Sequence, residues 1–412
     1  MKILIPTIGS RGDIQPYIAL GSGLQKAGYD VTFASHPTFR SLVEFHGLKF
    51  SPFGPDIDLG EDTARLRENN HGIDAGFIKV MKYSFDLLER SHDDLMELVK
   101  DADVVIITHT STGSIEAEML GKRIISGNLF AQIVPIPRSK QTLMEKTVGR
   151  AMGSVIGLFM TRPLNQLRKK FGMPPLGANG VSSLELNLIA CSSHITPPDP
   201  RWEPRHKMTG YWFSPEPENW IPPEALVKFL DSGEKPVVVS LGAMSLSKHD
   251  AKPMVELMLG AASLSTCRMI IQGWESAISN ITLPDNVIGV GSVPHGWLLP
   301  RCAAIVHHGG FGTTAAGFRA GIPQIIIPHI IDQFVWGGLV AKKKLGPKPI
   351  SRKKLTKQKL SDAIRSTLDD RAMRENASAV GDLIQAEDGV GNAVRLVREL
   401  LAGVDEQRRG ER

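Results

Sequence analysis

Short runs of consecutive apolar residues alternate with longer stretches whose apolar positions fall three or four apart. That is the pattern of strands buried on both faces and of helices packed against them. Ile3, Leu4 and Ile5 mark a first strand over Lys2–Pro6, followed by a glycine-punctuated loop, Pro6–Gln15. Ile18, Leu20 and Leu24 predict a helix over Pro16–Ala27 with Gly28 at its C-cap, and Tyr29–Ala34 reads as the second strand. Phe77, Val80, Met81, Phe85, Leu88, Leu95 and Leu98 predict one long amphipathic helix over Phe77–Lys100. Strands follow at Asp103–Ile107 and Arg123–Ser126, with a helix over Gly113–Leu120 between them. The same alternation restarts with helix Glu224–Asp231, strand Pro236–Leu241, helix Pro253–Leu264 and strand Arg268–Gln272. A strand at Ala303–Val306, a turn holding His307, His308, Gly309, Gly310 and Gly312, a helix over Thr313–Ala320 and a strand at Gln324–Ile327 form a further βαβ unit. Three helices close the chain, at Leu355–Leu368, Asp370–Ala386 and Val390–Leu401, ahead of a polar tail expected to fray past Gly403.

Strand and helix in strict alternation define an α/β fold with doubly wound parallel sheets. The stretch Gly210–Pro223, rich in proline and aromatic residues, separates two such halves and reads as an ordered linker. The expected domains are residues 1–209 and 224–386, joined by the linker 210–223. A helix over 387–403 is expected to pack back on the first domain, followed by a frayed tail at 404–412.

Composition narrows the function. Of 412 residues 42% are hydrophobic and 22% charged, an ordinary globular balance with length for two cores. A formal net charge of +5 is modest for this length, which argues against nucleic acid as a main partner. Cys191, Cys267 and Cys302 show no C-x-x-C spacing, which points to a reducing compartment and away from disulfides or structural zinc. The chain enters a strand at once, so no secretory signal is expected, and no apolar run approaches the ~20 residues that span a bilayer. A cytoplasmic location follows as the expectation. The segment Met152–Phe171 joins apolar residues to Arg162, Arg168, Lys169 and Lys170; it reads as a cap helix or as an interfacial helix touching the inner membrane face.

The chemistry concentrates where strands end. Glycines after a parallel strand let backbone amides approach an anion, and the helix that follows adds its positive end, so the His308–Thr313 turn suits a phosphate. Asp332 and Gln333 lie past the next strand, on the same carboxyl edge; together a carboxylate and an amide accept from and donate to vicinal hydroxyls. Phosphate cradle plus hydroxyl reader implies a sugar nucleotide. A nicotinamide site is disfavoured, because the first loop reads G-S-R-G-D rather than G-x-G-x-x-G and no acidic residue ends the second strand. Asp13 has two readings: a first-turn helix acid ahead of Pro16, or a carboxylate at the sheet edge acting as general base. Ser10 and Arg11 stand beside it, and His109, after the Asp103–Ile107 strand, either lines an acceptor site or supports Asp13. No D-x-D pair is placed to hold a metal.

Gly9–Pro16 (G-S-R-G-D-I-Q-P), Val293–Pro323 and Asp332–Gly337 (D-Q-F-V-W-G) together resemble the motifs of the UDP-glycosyltransferase superfamily, of GT-B fold. The chain most resembles sterol 3-β-glucosyltransferases and the bacterial enzymes that glycosylate lipids, macrolides and glycopeptide aglycones. The resemblance implies two Rossmann-like domains facing across a cleft and C-terminal helices. It implies an inverting, metal-independent transfer of a hexose, glucose from UDP-glucose first, to a hydroxyl of a lipophilic acceptor, with the UDP-sugar as co-substrate and no cofactor. By the same resemblance Asp13 is the base; His308, Gly309, Gly310, Gly312 and Thr313 hold the diphosphate; Asp332 and Gln333 bind the sugar. Ser240, Gly242, Ser245, Ser292 and Val293 would meet the nucleotide, Val293 through its backbone. Two departures leave dTDP open beside UDP: Ser292 stands where plant members place a tryptophan, and Ala316 where they place a ribose-binding glutamate. Other readings on this fold are transfer to a lipid-linked precursor, a sugar-nucleotide epimerase, or a silent sugar-nucleotide-binding protein. The long N-terminal extension of the fungal sterol enzymes is absent.

Overall fold

Among the described residues twelve short segments form strands, all joined in parallel ladders in two separate sheets. The structure, a computed structural model, describes residues 1–56, 73–142, 145, 162–176, 183–215, 220–241, 248–279, 281–329 and 331–410. The chain divides into two units, one comprising Met1–Ser214 with Glu387–Arg412 and the other Pro215–Ala386.

In the first unit β1 (Lys2–Pro6), β2 (Asp30–Ser35), β3 (Lys49–Pro52), β4 (Val104–Ile107), β5 (Arg123–Asn128), β6 (Leu186–Ile189) and β7 (His206–Met208) lie in the order β3-β2-β1-β4-β5-β6-β7. Ile3 pairs with Val31 on one side and Val104 on the other, so the winding reverses between β1 and β4. In an open α/β sheet the loops leaving the two strands at such a reversal diverge and leave a crevice at their carboxyl ends. β4 is Val-Val-Ile-Ile and wholly buried, as a strand covered on both faces must be.

The helix after β1 spans Arg11–Lys26, five residues earlier than the apolar spacing predicts, and it takes Asp13 into its first turn. Pro16 lies inside this helix, at its sixth residue, where its missing N–H removes one bond of the intrahelical ladder. The predicted long helix is two, Ile73–Arg90 and His92–Lys100. The break falls at buried Ser91, whose hydroxyl donates to the Leu87 carbonyl at 2.8 Å, a local bond that competes with regular helix. The final helix runs Gly389–Gly410, past the point where the polar tail was expected to fray; Glu406, Gln407 and Arg408 are good helix formers. It packs closely on Arg11–Lys26 because Gly23 has no side chain: a Cβ there would lie 2.4 Å from Val390 Cγ1. Asn392 donates to the Thr209 carbonyl at 3.0 Å, and Ser192 to the Glu387 carboxylate at 2.8 Å.

The segment Met152–Thr161 lies outside the described residues. The helix Arg162–Lys170 that follows does not present all its basic residues to solvent. Arg168 is 3% exposed, binds Glu118 through both terminal nitrogens (2.7 and 2.9 Å) and donates to the Pro174 carbonyl. A guanidinium so engaged is unavailable to a lipid headgroup, and Lys170 pairs with Glu89. Among the described residues no helix is long and apolar enough to cross a membrane.

In the second unit β8 (Val237–Ser240), β9 (Met269–Gln272), β10 (Val287–Val290), β11 (Ala304–His307) and β12 (Gln324–Ile326) lie in the order β10-β9-β8-β11-β12. Here the winding reverses between β8 and β11, with Ser240 opposite His307 at the carboxyl end. Helices Lys248–Ser265 and Lys357–Asp369 join β8, β9, β11 and β12 in one buried core.

Candidate active site

At the reversal between β1 and β4, the first helix begins at Ser10 and the loop after β4 supplies His109. Asp13 uses its two carboxylate oxygens differently. Oδ2 accepts from the Ser10 backbone N–H (2.8 Å) and hydroxyl (2.7 Å), tying the carboxylate to the helix N-terminus. Oδ1 lies 3.2 Å from His109 Nε2. Asp13 is therefore a first-turn acid through one oxygen, while the other faces the loop after β4. Burial alone would push its carboxyl up, but the bond and charge from His109 and the two bonds from Ser10 outweigh it and hold it below the usual range. Asp13 is thus a carboxylate at neutral pH. Gly9 (φ 152°) is needed for this packing, since a Cβ there would stand 2.6 Å from Asp13 Cβ. Arg11, the first helical residue, is exposed.

His109 is fixed by more than Asp13. Its ring stacks on Tyr17 (centroids 5.9 Å, 12° between planes) and meets Phe130 edge-on. Nδ1 lies 3.0 Å from the Tyr17 hydroxyl. Thr108, Thr110 and Thr112 chain their hydroxyls at 2.7 and 2.8 Å beneath the loop.

In the second unit every strand end contributes. After β11, Gly309 takes φ 90° and Gly310 caps the helix Phe311–Ala320 without a side-chain bond. The first-turn amides of Phe311, Gly312 and Thr313 therefore head a ten-residue helix, and a Cβ on Gly312 would meet open space. His307 is wholly buried and anchors the turn. Its Nδ1 accepts from the Gly309 N–H at 3.1 Å, so Nε2 carries the proton and donates to Gln324 Oε1 at 2.9 Å. Gln324 in turn donates to the Thr314 carbonyl at 3.2 Å. Burial pushes the His307 imidazole down to about 3, and burial pushes His308 down to about 4. His308, whose ring also hydrogen-bonds the Ser240 backbone, is therefore neutral and brings no standing charge to the turn.

Ser240 ends β8 beside this turn, while Gly242 and Ser245 lie outside the described residues. Ser292 is exposed and Val293 buried just past β10. The Val293 carbonyl already accepts from buried Gln272 at 2.7 Å. Asp332 and Gln333 occupy the first turn of helix Ile331–Lys342 rather than a loop. Gln333 Oε1 accepts from the His329 N–H at 2.7 Å. Among the described residues no cluster of metal-ligating side chains occurs.

Sequence reasoning passed over Tyr17, Gln272 and Gln324. Tyr17 stands one turn beyond Asp13, a spacing that was there to be used. Gln324 is a polar residue opening an apolar strand, a signal that something buried needs a partner.

Two parallel α/β units, each with a helix N-terminus at its sheet reversal, match solved structures in fold. The glycosyltransferase of kitacinnamycin matches with a TM-score of 0.75 at 20% identity, over 97% of this chain and 99% of that one. The glycosyltransferase VinC in complex with dTDP matches with a TM-score of 0.71 at 21% identity, over 98% and 100%. The fold is GT-B. Residues 3–105 match the glycosyltransferase family 28 N-terminal domain, and residues 258–399 the C-terminal domain of the erythromycin biosynthesis protein CIII-like family. The O-mycaminosyltylonolide 6-deoxyallosyltransferase of Streptomyces fradiae is 30% identical over 97% of each chain. A sterol 3-beta-glucosyltransferase of Arabidopsis thaliana is 32% identical over 96% of this chain and 65% of its own length. That of Saccharomyces cerevisiae is 29% identical over 96% of this chain and 35% of its own. The chain belongs to this family of sugar-transferring enzymes, and it spans about two thirds or less of the sterol enzymes' length.

Proposed function

We propose that the protein is an inverting glycosyltransferase that moves a hexose from a nucleoside diphosphate to a hydroxyl of a lipophilic acceptor. The single observation that carries the reading is Asp13: an ionised carboxylate at a sheet reversal, one oxygen held by Ser10 and the other turned to His109. Asp13 takes the acceptor's proton as its oxygen attacks the anomeric carbon, and the diphosphate leaves from the opposite face, inverting the centre. In this reading the first unit binds the acceptor and the second the donor. The amides of Phe311, Gly312 and Thr313 and the neutral donor of His308 receive the leaving diphosphate, aimed before the charge develops. No metal is called for in this scheme.

Asp332 and the Gln333 amide read the sugar, and Ser240, Ser292 and the Val293 N–H read the nucleoside. UDP-glucose is the proposed donor, its glucose supported by the names of the sterol relatives; a thymidine nucleotide is the second reading, supported by neighbours bound to it. Sterols or macrolide-like aglycones are the proposed acceptors, on the same kind of support. Incubation with UDP-glucose or dTDP-glucose against sterol and macrolide panels, read by mass spectrometry, tests all of this. A β-linked product from an α-linked donor is expected; retention at the anomeric carbon, or hydrolysis without transfer, would sink the reading. Flotation with vesicles tests whether the protein also touches the membrane holding such acceptors.

A further inference from the structure

The Tyr17 hydroxyl has one proton and three neighbours. It donates to the Gly127 carbonyl at 2.9 Å, accepts from the His109 backbone N–H at 3.1 Å and lies 3.0 Å from His109 Nδ1. The first two contacts have a reason in the sheet. β4 and β5 pair in register as far as Ile107 and Ser126. In a parallel ladder the next bond would run from the His109 N–H to the Gly127 carbonyl. The phenol stands in that place, accepting from one strand and donating to the other, so its proton belongs to Gly127. Its remaining lone pair can satisfy Nδ1 only if Nδ1 carries a hydrogen.

We propose that Tyr17 is a positioning residue of the transfer reaction: by holding His109 as the Nδ1–H tautomer it turns a bare Nε2 toward Asp13, and His109 becomes the store for the proton that Asp13 takes. This rests on Asp13 being the base. The acceptor's O–H proton passes to Asp13 Oδ1 and on to His109 Nε2, while the acceptor oxygen forms its bond to the anomeric carbon and the anomeric carbon–diphosphate bond breaks. The proton count balances, with the carboxylate restored and an imidazolium formed. Before the reaction two lone pairs oppose each other across 3.2 Å; afterwards the same gap holds a charged hydrogen bond. That difference favours proton transfer only as the transition state is reached.

The surroundings support the assignment. Tyr17 is fully buried and burial pushes its phenol far up, so it stays protonated. A proton on Nε2 makes the imidazole the donor and the charge that hold the Asp13 carboxyl down, so that lowering belongs to the pair after it has taken its proton. Among the described residues the titratable groups in contact with the ring are Asp13 and Tyr17, both from the helix Arg11–Lys26; from the segment after β5 it meets the uncharged Phe130 ring.

The test is Tyr17→Phe in the full chain. Without the phenol oxygen the imidazole turns to its Nε2–H tautomer and donates to Asp13. That hydrogen bond favours the charged carboxylate, so the pair binds a proton less readily. Turnover should fall ~10–10²-fold, within the range of general-base effects, with the donor KM unchanged and the acidic limb of the kcat profile moved to lower pH. Nitrogen NMR of His109 should show Nδ1 protonated in the native chain and Nε2 in the variant. His109→Gln, whose amide can donate an N–H to Asp13 but has no basic nitrogen to store a proton, should shift the limb the same way, and adding Tyr17→Phe to it should change nothing further. A native Nε2–H tautomer, an unmoved limb, or additive losses in the double variant would overturn the inference, additivity meaning that Tyr17 merely braces the sheet. If Asp13→Asn instead retains activity, it is the base assignment itself that has failed.

Discussion

Gly309 rests its bare α-carbon on the backbone of Gln333. A Cβ built there would lie 3.0 Å from the Gln333 carbonyl oxygen and 2.8 Å from Ile326 Cγ2. The phosphate-side turn and the helix carrying the sugar-side pair are thus in direct contact. Gly309→Ala would force a side chain into φ 90° against backbone that cannot yield cheaply. A loss of ~1–3 kcal/mol is expected, the scale of a strained backbone position, with a larger loss of UDP affinity. Calorimetric melts and UDP titration check it; an unchanged melting temperature with unchanged binding would mean the turn relaxes freely.

Asp13→Asn keeps the shape and removes the charge. Donor binding should persist while turnover falls by ~10²–10⁴, the contribution of a positioned general base. Because the carboxylate also ties Ser10 to the helix start, a small drop in melting temperature is expected beside it. Loss of donor binding in calorimetry would make Asp13 structural.

Asp332→Ala should weaken UDP-glucose far more than UDP, since the residue is assigned to the sugar and not to the nucleotide. Competition titration of the two ligands separates these cases. Equal weakening of both would remove the sugar-reading role and point to disruption of helix Ile331–Lys342.

His307 makes stability depend on pH with a definite sign. An imidazole near 6.5 when unfolded and about 3 when folded binds its proton more readily in the unfolded chain between those values. Stability is therefore full above about pH 6.5 and declines as pH falls toward 3, by ~1.4 kcal/mol per pH unit for each such group. His308, pushed down to about 4, adds to the decline above that pH. Urea midpoints should drop from pH 7 to pH 5, and His307→Gln should be less stable at pH 7 but lose part of this slope. A slope unchanged by that substitution would contradict the assignment.

Much of this architecture could be read before any fold was known. Periodicity alone separated strands from helices, because a strand covered on both faces must be continuously apolar while a covering helix need be so on one side only. The runs at Ile3–Ile5, Val104–Ile107 and Ala304–Val306, and the glycines after the last of them, were legible for that reason. Tertiary structure alone decided how the strands order themselves, and with that which loops share a sheet reversal. Asp13 and His109 are 96 residues apart and meet only because β1 and β4 are neighbours. Tyr17 looks in sequence like one more core aromatic; its hydroxyl has a task only because β4 and β5 part at their ends. Likewise Gln272 and Gln324 are ordinary amides until a buried carbonyl and a buried imidazole require them. Local patterning sets which surfaces are buried, whereas hydrogen-bond partners depend on which distant groups are buried together.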